Sequence, residues 1–236
     1  MVMKPDRRRF LAASAAIGAA TLSPQVVLAR PEAASNEQDE AEITATEDLM
    51  REHGVLDRLL LIFEEGLRRL QSRQEVSAEI FHAPAVLIRK FVEDYHEKLE
   101  EGFIFPIFEK QGKMLELVKI LRQQHEVGRA LTDAILLNSA ADQFAQDGPR
   151  REAVRACEAF LRMYRPHKAR EDTVLFPALH LLITDKQLDQ MGDRFEAEEN
   201  RVFGKDGFER TVDRVAALER QWGIGDLSQF TAKVSS

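Results

Sequence analysis

The chain is poor in cysteine, tryptophan and tyrosine, with one Cys, one Trp and two Tyr in 236 residues. A single thiol, Cys157, excludes an intramolecular disulfide and any cysteine-rich zinc or iron-sulfur site. Whatever metal is bound must therefore be held by nitrogen and oxygen. A long apolar run is also lacking, since the weakly apolar stretch from Leu11 to Leu22 is too short to span a bilayer and so gives no stable membrane anchor. Nor is there an excess of positive charge. The formal net charge is −7, which argues against a nucleic-acid partner. What is present, 44% hydrophobic and 31% charged residues, fits a single globular domain with a sizeable core.

Residues 1–29 read as a targeting segment. Arg7-Arg8-Arg9-Phe10-Leu11 precedes the short apolar run, and Val27-Leu28-Ala29 offers small residues for cleavage. The arginines followed by Phe-Leu resemble a twin-arginine export signal, with Asp6 where Ser or Thr is usual. That resemblance implies a periplasmic protein exported in the folded state and cleaved near Ala29. Loss of the segment would leave the chain three charges more negative, because Lys4 and the three arginines outnumber Asp6. Residues 30–45, acidic and rich in alanine, are expected to form a flexible lead-in.

From residue 46 the apolar residues recur at helical spacing. Thr44 and Glu47 form a capping-box pattern, and Leu49, His53, Leu56, Leu60, Phe63, Leu67 and Leu70 follow in steps of three and four. A second helix is expected to start near Pro84, with the stripe Val92, His96, Glu100, Phe103 and Ile107. After a turn at Gln111-Gly112, the third stripe runs through Val118, Leu121, His125, Gly128, Thr132 and Ile135. Beyond a polar loop at 146–149, the fourth carries Cys157, Phe160, Tyr164, His167, Glu171 and Val174, and Pro166 should bend it or loosen a turn beside His167. Short connections favour an all-α, up-down-up-down four-helix bundle over residues 46–184. Residues 185–236 should add covering helices with Phe195, Val212, Val215, Leu218 and Trp222 inward, and Gly223 and Gly225 ending the last of them.

Each stripe holds one histidine, and two hold a carboxylate four residues later: His96 with Glu100, and His167 with Glu171. Residues at i and i+4 share a helix face. The pattern is a duplication, with 72 residues from His53 to His125 and 71 from His96 to His167, and Phe-Pro follows at the same offset in each half as Phe105-Pro106 and Phe176-Pro177. Buried carboxylates are costly unless paired or metal-bound. Six nitrogen and oxygen ligands exceed what one tetrahedral zinc needs and suit two ions bridged by Glu100 and Glu171, with iron, manganese or zinc compatible by ligand type. A metal-free hydrogen-bonded network and a structural zinc bundle are the alternatives. Tyr164, one turn before His167, either packs in the core or hydrogen-bonds toward the centre. Glu101 and Arg129 either orient ligands or are surface charges; Cys157, His82 and His180 lie too far along their helices to ligate.

The stretches Glu52-His53-Gly54-Val55-Leu56-Asp57, His96-x3-Glu100-Glu101-x3-Phe105-Pro106, His125-Glu126-x-Gly128-Arg129 and His167-x3-Glu171-Asp172-x2-Leu175-Phe176-Pro177 resemble the hemerythrin-like, or HHE cation-binding, family. The resemblance implies that His53, His96, Glu100, His125, His167 and Glu171 ligate an oxygen-bridged di-iron centre that takes dioxygen, peroxide or nitric oxide. It leaves open a carrier or sensor with a separate signalling or redox partner, a peroxidase, oxidase or nitric-oxide-detoxifying enzyme, and an iron donor. Arg129 stands one turn after His125, where oxygen-carrying members have a fifth histidine.

Overall fold

The computed structural model describes residues 43–234, so the segment expected to direct export and all but the end of the expected lead-in lie outside the described residues. Helix α1 (Ala45–Gln71) begins at the expected capping box: the Thr44 hydroxyl accepts from the Glu47 N–H and the Glu47 carboxylate accepts from the Thr44 N–H. Removing that box with Thr44→Ala should destabilise the fold by ~1 kcal/mol, readable as a shift of the urea midpoint with unchanged slope.

The second arm of the bundle is a composite. It runs through α2 (Glu79–Leu87), a π-helical stretch Ile88–His96, α3 (Glu97–Leu99), a second π stretch Glu100–Ile104, and α4 (Phe105–Gln111). It starts at Glu79, earlier than the Pro84 expected from sequence, and Pro84 sits inside α2. There its missing donor costs only one turn's bond near the helix start. Gly112, with φ 64°, closes α4 in the left-handed conformation that glycine adopts without strain.

Helix α5 (Leu115–Asn138) forms the third arm and a short α6 (Ala141–Phe144) follows it; the polar loop expected at 146–149 is instead mostly helical, because α7 already begins at Asp147. The fourth arm is α7 (Asp147–Arg170), a π stretch Glu171–Leu175, and α8 (Phe176–Leu179). The loosening expected beside Pro166 is absent; α7 stays α-helical through it, and the wide turn comes at Glu171. The reason lies downstream. Pro106 and Pro177 each follow a π stretch, where the N–H of the preceding residue reaches back five positions, Phe105 to Glu100 O and Phe176 to Glu171 O. A proline cannot donate, and its ring crowds the carbonyl four residues back. The wide turn, which opens at Glu100 and at Glu171, relieves that crowding at the Gly102 and Thr173 carbonyls.

The core between the arms is aromatic. Phe63 meets Phe81 and Phe160 at ring centroids 6.4 and 6.2 Å apart. Helices α9 (Asp185–Phe203) and α10 (Gly207–Gln221) cover one side, as expected, and belong to the same compact unit as the bundle. Phe195 packs on Phe103 and Phe203 on Tyr95, with Arg58 making a two-pronged ion pair with Glu219. Phe195 and Val215 are buried, and Val212, Leu218 and Trp222 pack on the core; of the two terminal glycines, Gly223 alone has a positive φ. Among the described residues, no helix is long and apolar enough to cross a membrane.

Candidate metal centre

All six residues singled out as ligands are brought together midway along the bundle, each no more than 4% exposed. The histidines form two pairs. His53 and His96 face each other through their Nε2 atoms at 3.1 Å, and His125 and His167 do so at 3.2 Å. Glu171 lies between the pairs, Oε2 being 3.4 Å from His53 Nε2 and Oε1 3.1 Å from His167 Nε2. Glu100 does the same from the other side, with Oε2 3.4 Å from His125 Nε2 and 3.7 Å from His96 Nε2. The two carboxylates therefore connect one histidine pair to the other.

The outward nitrogens fix the ring states. His53 Nδ1 donates to Asp172 at 2.7 Å, His96 Nδ1 to Glu52 at 2.8 Å, His125 Nδ1 to Glu101 at 3.1 Å and His167 Nδ1 to the Gln124 amide oxygen at 2.9 Å. A neutral imidazole that donates from Nδ1 presents a lone pair at Nε2. Four Nε2 atoms thus converge on the interior. Two of them at 3.1 Å repel unless a proton or a metal cation lies between or beside them.

The carboxylates are in the same condition. None of the four oxygens of Glu100 and Glu171 has a hydrogen-bond partner, although both residues are fully buried. Orphaned buried carboxylate oxygens are rare, and a divalent cation is what would satisfy them. Without one, burial and the neighbouring Glu171 push the Glu100 carboxyl well above its ordinary value. Glu171 moves the other way: burial works against its charge, and His167 and His53 outweigh burial. Burial lowers His96 and holds His125 at about 4. For His53 burial also opposes charge, yet the hydrogen bond to Asp172 and the nearby Glu171 carboxylate outweigh it and push it up to about 9. The donor set, imidazole nitrogen and carboxylate oxygen without thiolate, fits two ions of iron, manganese or zinc.

Two phenylalanines seal the site symmetrically. Phe105 stacks on His125 and Phe176 on His53, at 5.5 and 5.8 Å. Beyond the ligands, Tyr164 donates to Glu97 at 2.5 Å; Arg129 bridges Glu97 and Glu101 at 2.7 and 2.5 Å, and Glu101 accepts from His125. Arg129 and Glu101 therefore hold a ligand, one of the two roles weighed from the sequence. The Tyr164 hydroxyl is committed to Glu97, whose carboxyl burial raises to about 8. Tyr164 also stacks on Phe160 at 4.2 Å and passes over Gly128, where a Cβ would lie 2.8 Å from two of its ring carbons.

His180 bonds to Thr46 and His82 to Ser139, away from the centre, and Cys157 is a buried free thiol. Sequence reasoning passed over Glu52, Asp172, Gln124 and Glu97. The first three had a signal: each lone histidine is preceded by Glu or Gln, and each bridging Glu is followed by an acid.

Two overlapping segments, 44–179 and 116–230, match the family model described as the Hemerythrin HHE cation binding domain. No histidine follows His180, so α9 and α10 add no second set of such ligands. Curated relatives include an uncharacterized protein of Mycobacterium bovis and counterparts in two strains of Mycobacterium tuberculosis. Each is 45% identical over 233 residues, covering 95% of this chain and 90% of the relative. No solved structure matches.

Proposed function

Because the chain belongs to the hemerythrin HHE cation-binding family, we propose that its six buried ligands hold a pair of iron ions that bind or sense dioxygen, peroxide or nitric oxide. The observation that carries this is the convergence of four histidine Nε2 atoms on the buried carboxylates of Glu100 and Glu171. When bound, iron would supply redox equivalents and an open coordination position. The chain's own residues do the rest. Asp172, Glu52, Glu101 and Gln124 accept from Nδ1 of His53, His96, His125 and His167 respectively and so aim each Nε2 at the interior. Phe105 and Phe176 keep water off the imidazoles. Iron analysis with anaerobic and aerated spectra tests the reading: two irons per chain and a spectrum that changes on exposure to oxygen or nitric oxide are expected, and less than one iron with no spectral response sinks it.

Metal uptake should depend on pH. In the metal-free state His53 carries a proton up to about 9 and the Glu100 carboxyl is also held well above its ordinary value, and binding must expel these protons, so apparent affinity falls as pH drops, about tenfold per unit for each proton expelled. Chelator competition at several pH values checks the slope; a flat profile would contradict it.

A peroxidase, oxidase or nitric-oxide-consuming enzyme is the second reading, favoured by the oxidisable Tyr164 ring 5.3 Å from His167. Turnover with a reducing donor that vanishes in Tyr164→Phe, with iron content retained, would select it. Iron donation fits less well, since every ligand is buried. Export to the periplasm by the twin-arginine route stays part of the proposal on the strength of Arg7-Arg8-Arg9-Phe10-Leu11. Cell fractionation of the wild type and an Arg8→Lys/Arg9→Lys variant tests it.

A further inference from the structure

The two halves of the chain repeat in space as they do in sequence. His53 backed by Asp172 answers to His125 backed by Glu101, and His96 backed by Glu52 answers to His167 backed by Gln124. Three of the four backing groups are carboxylates. Gln124 breaks the repeat, occupying the place that Glu52 takes one duplication earlier.

The substitution has a direct chemical consequence. A carboxylate that accepts the Nδ1 proton pushes electron density onto Nε2 and adds negative charge facing a bound cation; an amide oxygen supplies less of both. The inequality is widened at Glu101, which shares its charge with Arg129 at 2.5 Å and Lys98 at 2.7 Å. The His53/His96 pair is thus backed by two acids, Asp172 and Glu52. The His125/His167 pair is backed by one acid, largely neutralised, and one amide. The bridging carboxylates do not offset this, because Glu100 and Glu171 reach both pairs.

We infer that the two metal positions are unequal: the His53/His96 position is the tight one, the His125/His167 position is the looser and more readily exchanged one, and Gln124 is the positioning residue that sets the difference. The inference rests on the di-metal reading above. It gives the protein an ion that stays and an ion that can be lost or replaced.

The test is an anaerobic titration of the metal-free full chain with iron(II) against a competing chelator, following binding and not turnover. Wild type should take up two ions, the first at least about tenfold more tightly than the second. Gln124→Glu should tighten the second step by roughly tenfold and leave the first in place, while Glu52→Gln should weaken the first by a similar factor. His167→Ala should lose the weak step and keep the tight one, and His96→Ala the reverse. Repulsion between two ions in equal positions also separates the steps, but it predicts that neither Gln124→Glu nor Glu52→Gln alters the gap; that result, or identical behaviour of the two histidine variants, overturns the inference while leaving the di-metal reading intact. Saturation at fewer than two ions in the wild type overturns both. Circular dichroism of each metal-free variant confirms that the change is read on a folded protein.

Discussion

Metal-free protein carrying Glu100→Leu should unfold at a higher temperature than the metal-free wild type, while failing to bind two ions. Glu100 is fully buried, both its oxygens lack a hydrogen-bond partner, and its carboxyl is pushed up by burial and by Glu171. An unsatisfied buried polar group costs ~1–3 kcal/mol, and a packed apolar side chain of similar size carries no such cost. Leu fills nearly the same volume and removes that cost. The gain has a pH signature with a definite sign. The folded state keeps a proton on Glu100 that the unfolded chain has already released, so wild-type folding is progressively disfavoured as pH rises above the ordinary carboxylate value of 4.5. The advantage of the Leu variant should therefore grow from acid toward neutral pH. Thermal denaturation of both metal-free proteins across that range is the measurement, and a variant less stable than wild type at neutral pH would remove the argument that the carboxyl is held for a cation. With metal present the order reverses, because ions bound only by the folded wild type stabilise it by ~4 kcal/mol at a thousandfold excess over Kd.

Gly128→Ala should destabilise the protein even though alanine is the better helix former. Helix propensity alone would favour the variant by ~1 kcal/mol. Against that, the new Cβ would collide with the Tyr164 hydroxyl and lie 2.8 Å from two ring carbons. Overpacking of this kind costs ~1–3 kcal/mol. A displaced Tyr164 also gives up its 2.5 Å bond to buried Glu97, and such a hydrogen bond contributes ~0.5–1.5 kcal/mol. A net loss of ~2 kcal/mol follows from these magnitudes. Because the same atoms are involved, Gly128→Ala and Tyr164→Phe should be coupled, the double variant losing less than the sum of the singles by more than ~0.5 kcal/mol. Urea denaturation of the four proteins closes the cycle; strict additivity, or a Gly128→Ala protein as stable as wild type, would show that Tyr164 is not pinned by this contact.

The cluster of four histidines and two glutamates was legible because it is periodic. One histidine per stripe and a carboxylate four residues on are statements about helix faces, and the 71–72 residue repeat made them mutually supporting. The capping box at Thr44 was legible for a similar reason, since its two residues are close in sequence. The start of the second arm was not, because Pro84 is acceptable both at a helix start and within its opening turns, and packing of Ile80 and Phe81 in the core decided for the longer helix. The π turns escaped because hydrophobic spacing cannot distinguish five-residue from four-residue backbone steps over one turn; the Phe-Pro that follows each bridging carboxylate was the clue. The outer partners escaped because each contact joins residues far apart in the chain, 119 for His53 with Asp172 and 43 for His167 with Gln124. Tyr164 was placed on the right face, but which carboxylate its hydroxyl meets depends on how closely α5 approaches at Gly128.

The stacked pair of phenylalanines has a kinetic meaning. With Phe105 over His125, Phe176 over His53 and every ligand at most 4% exposed, nothing from solvent touches the centre while the walls stand still. Arrival is then timed by the swing of side chains, which passes a molecule of two atoms far more often than a larger one. Under the proposed function, the rate at which a gas would reach the ions, and the size at which entry would stop, belong to these two rings and would change with Phe176→Ala while the six buried histidines and carboxylates stayed the same.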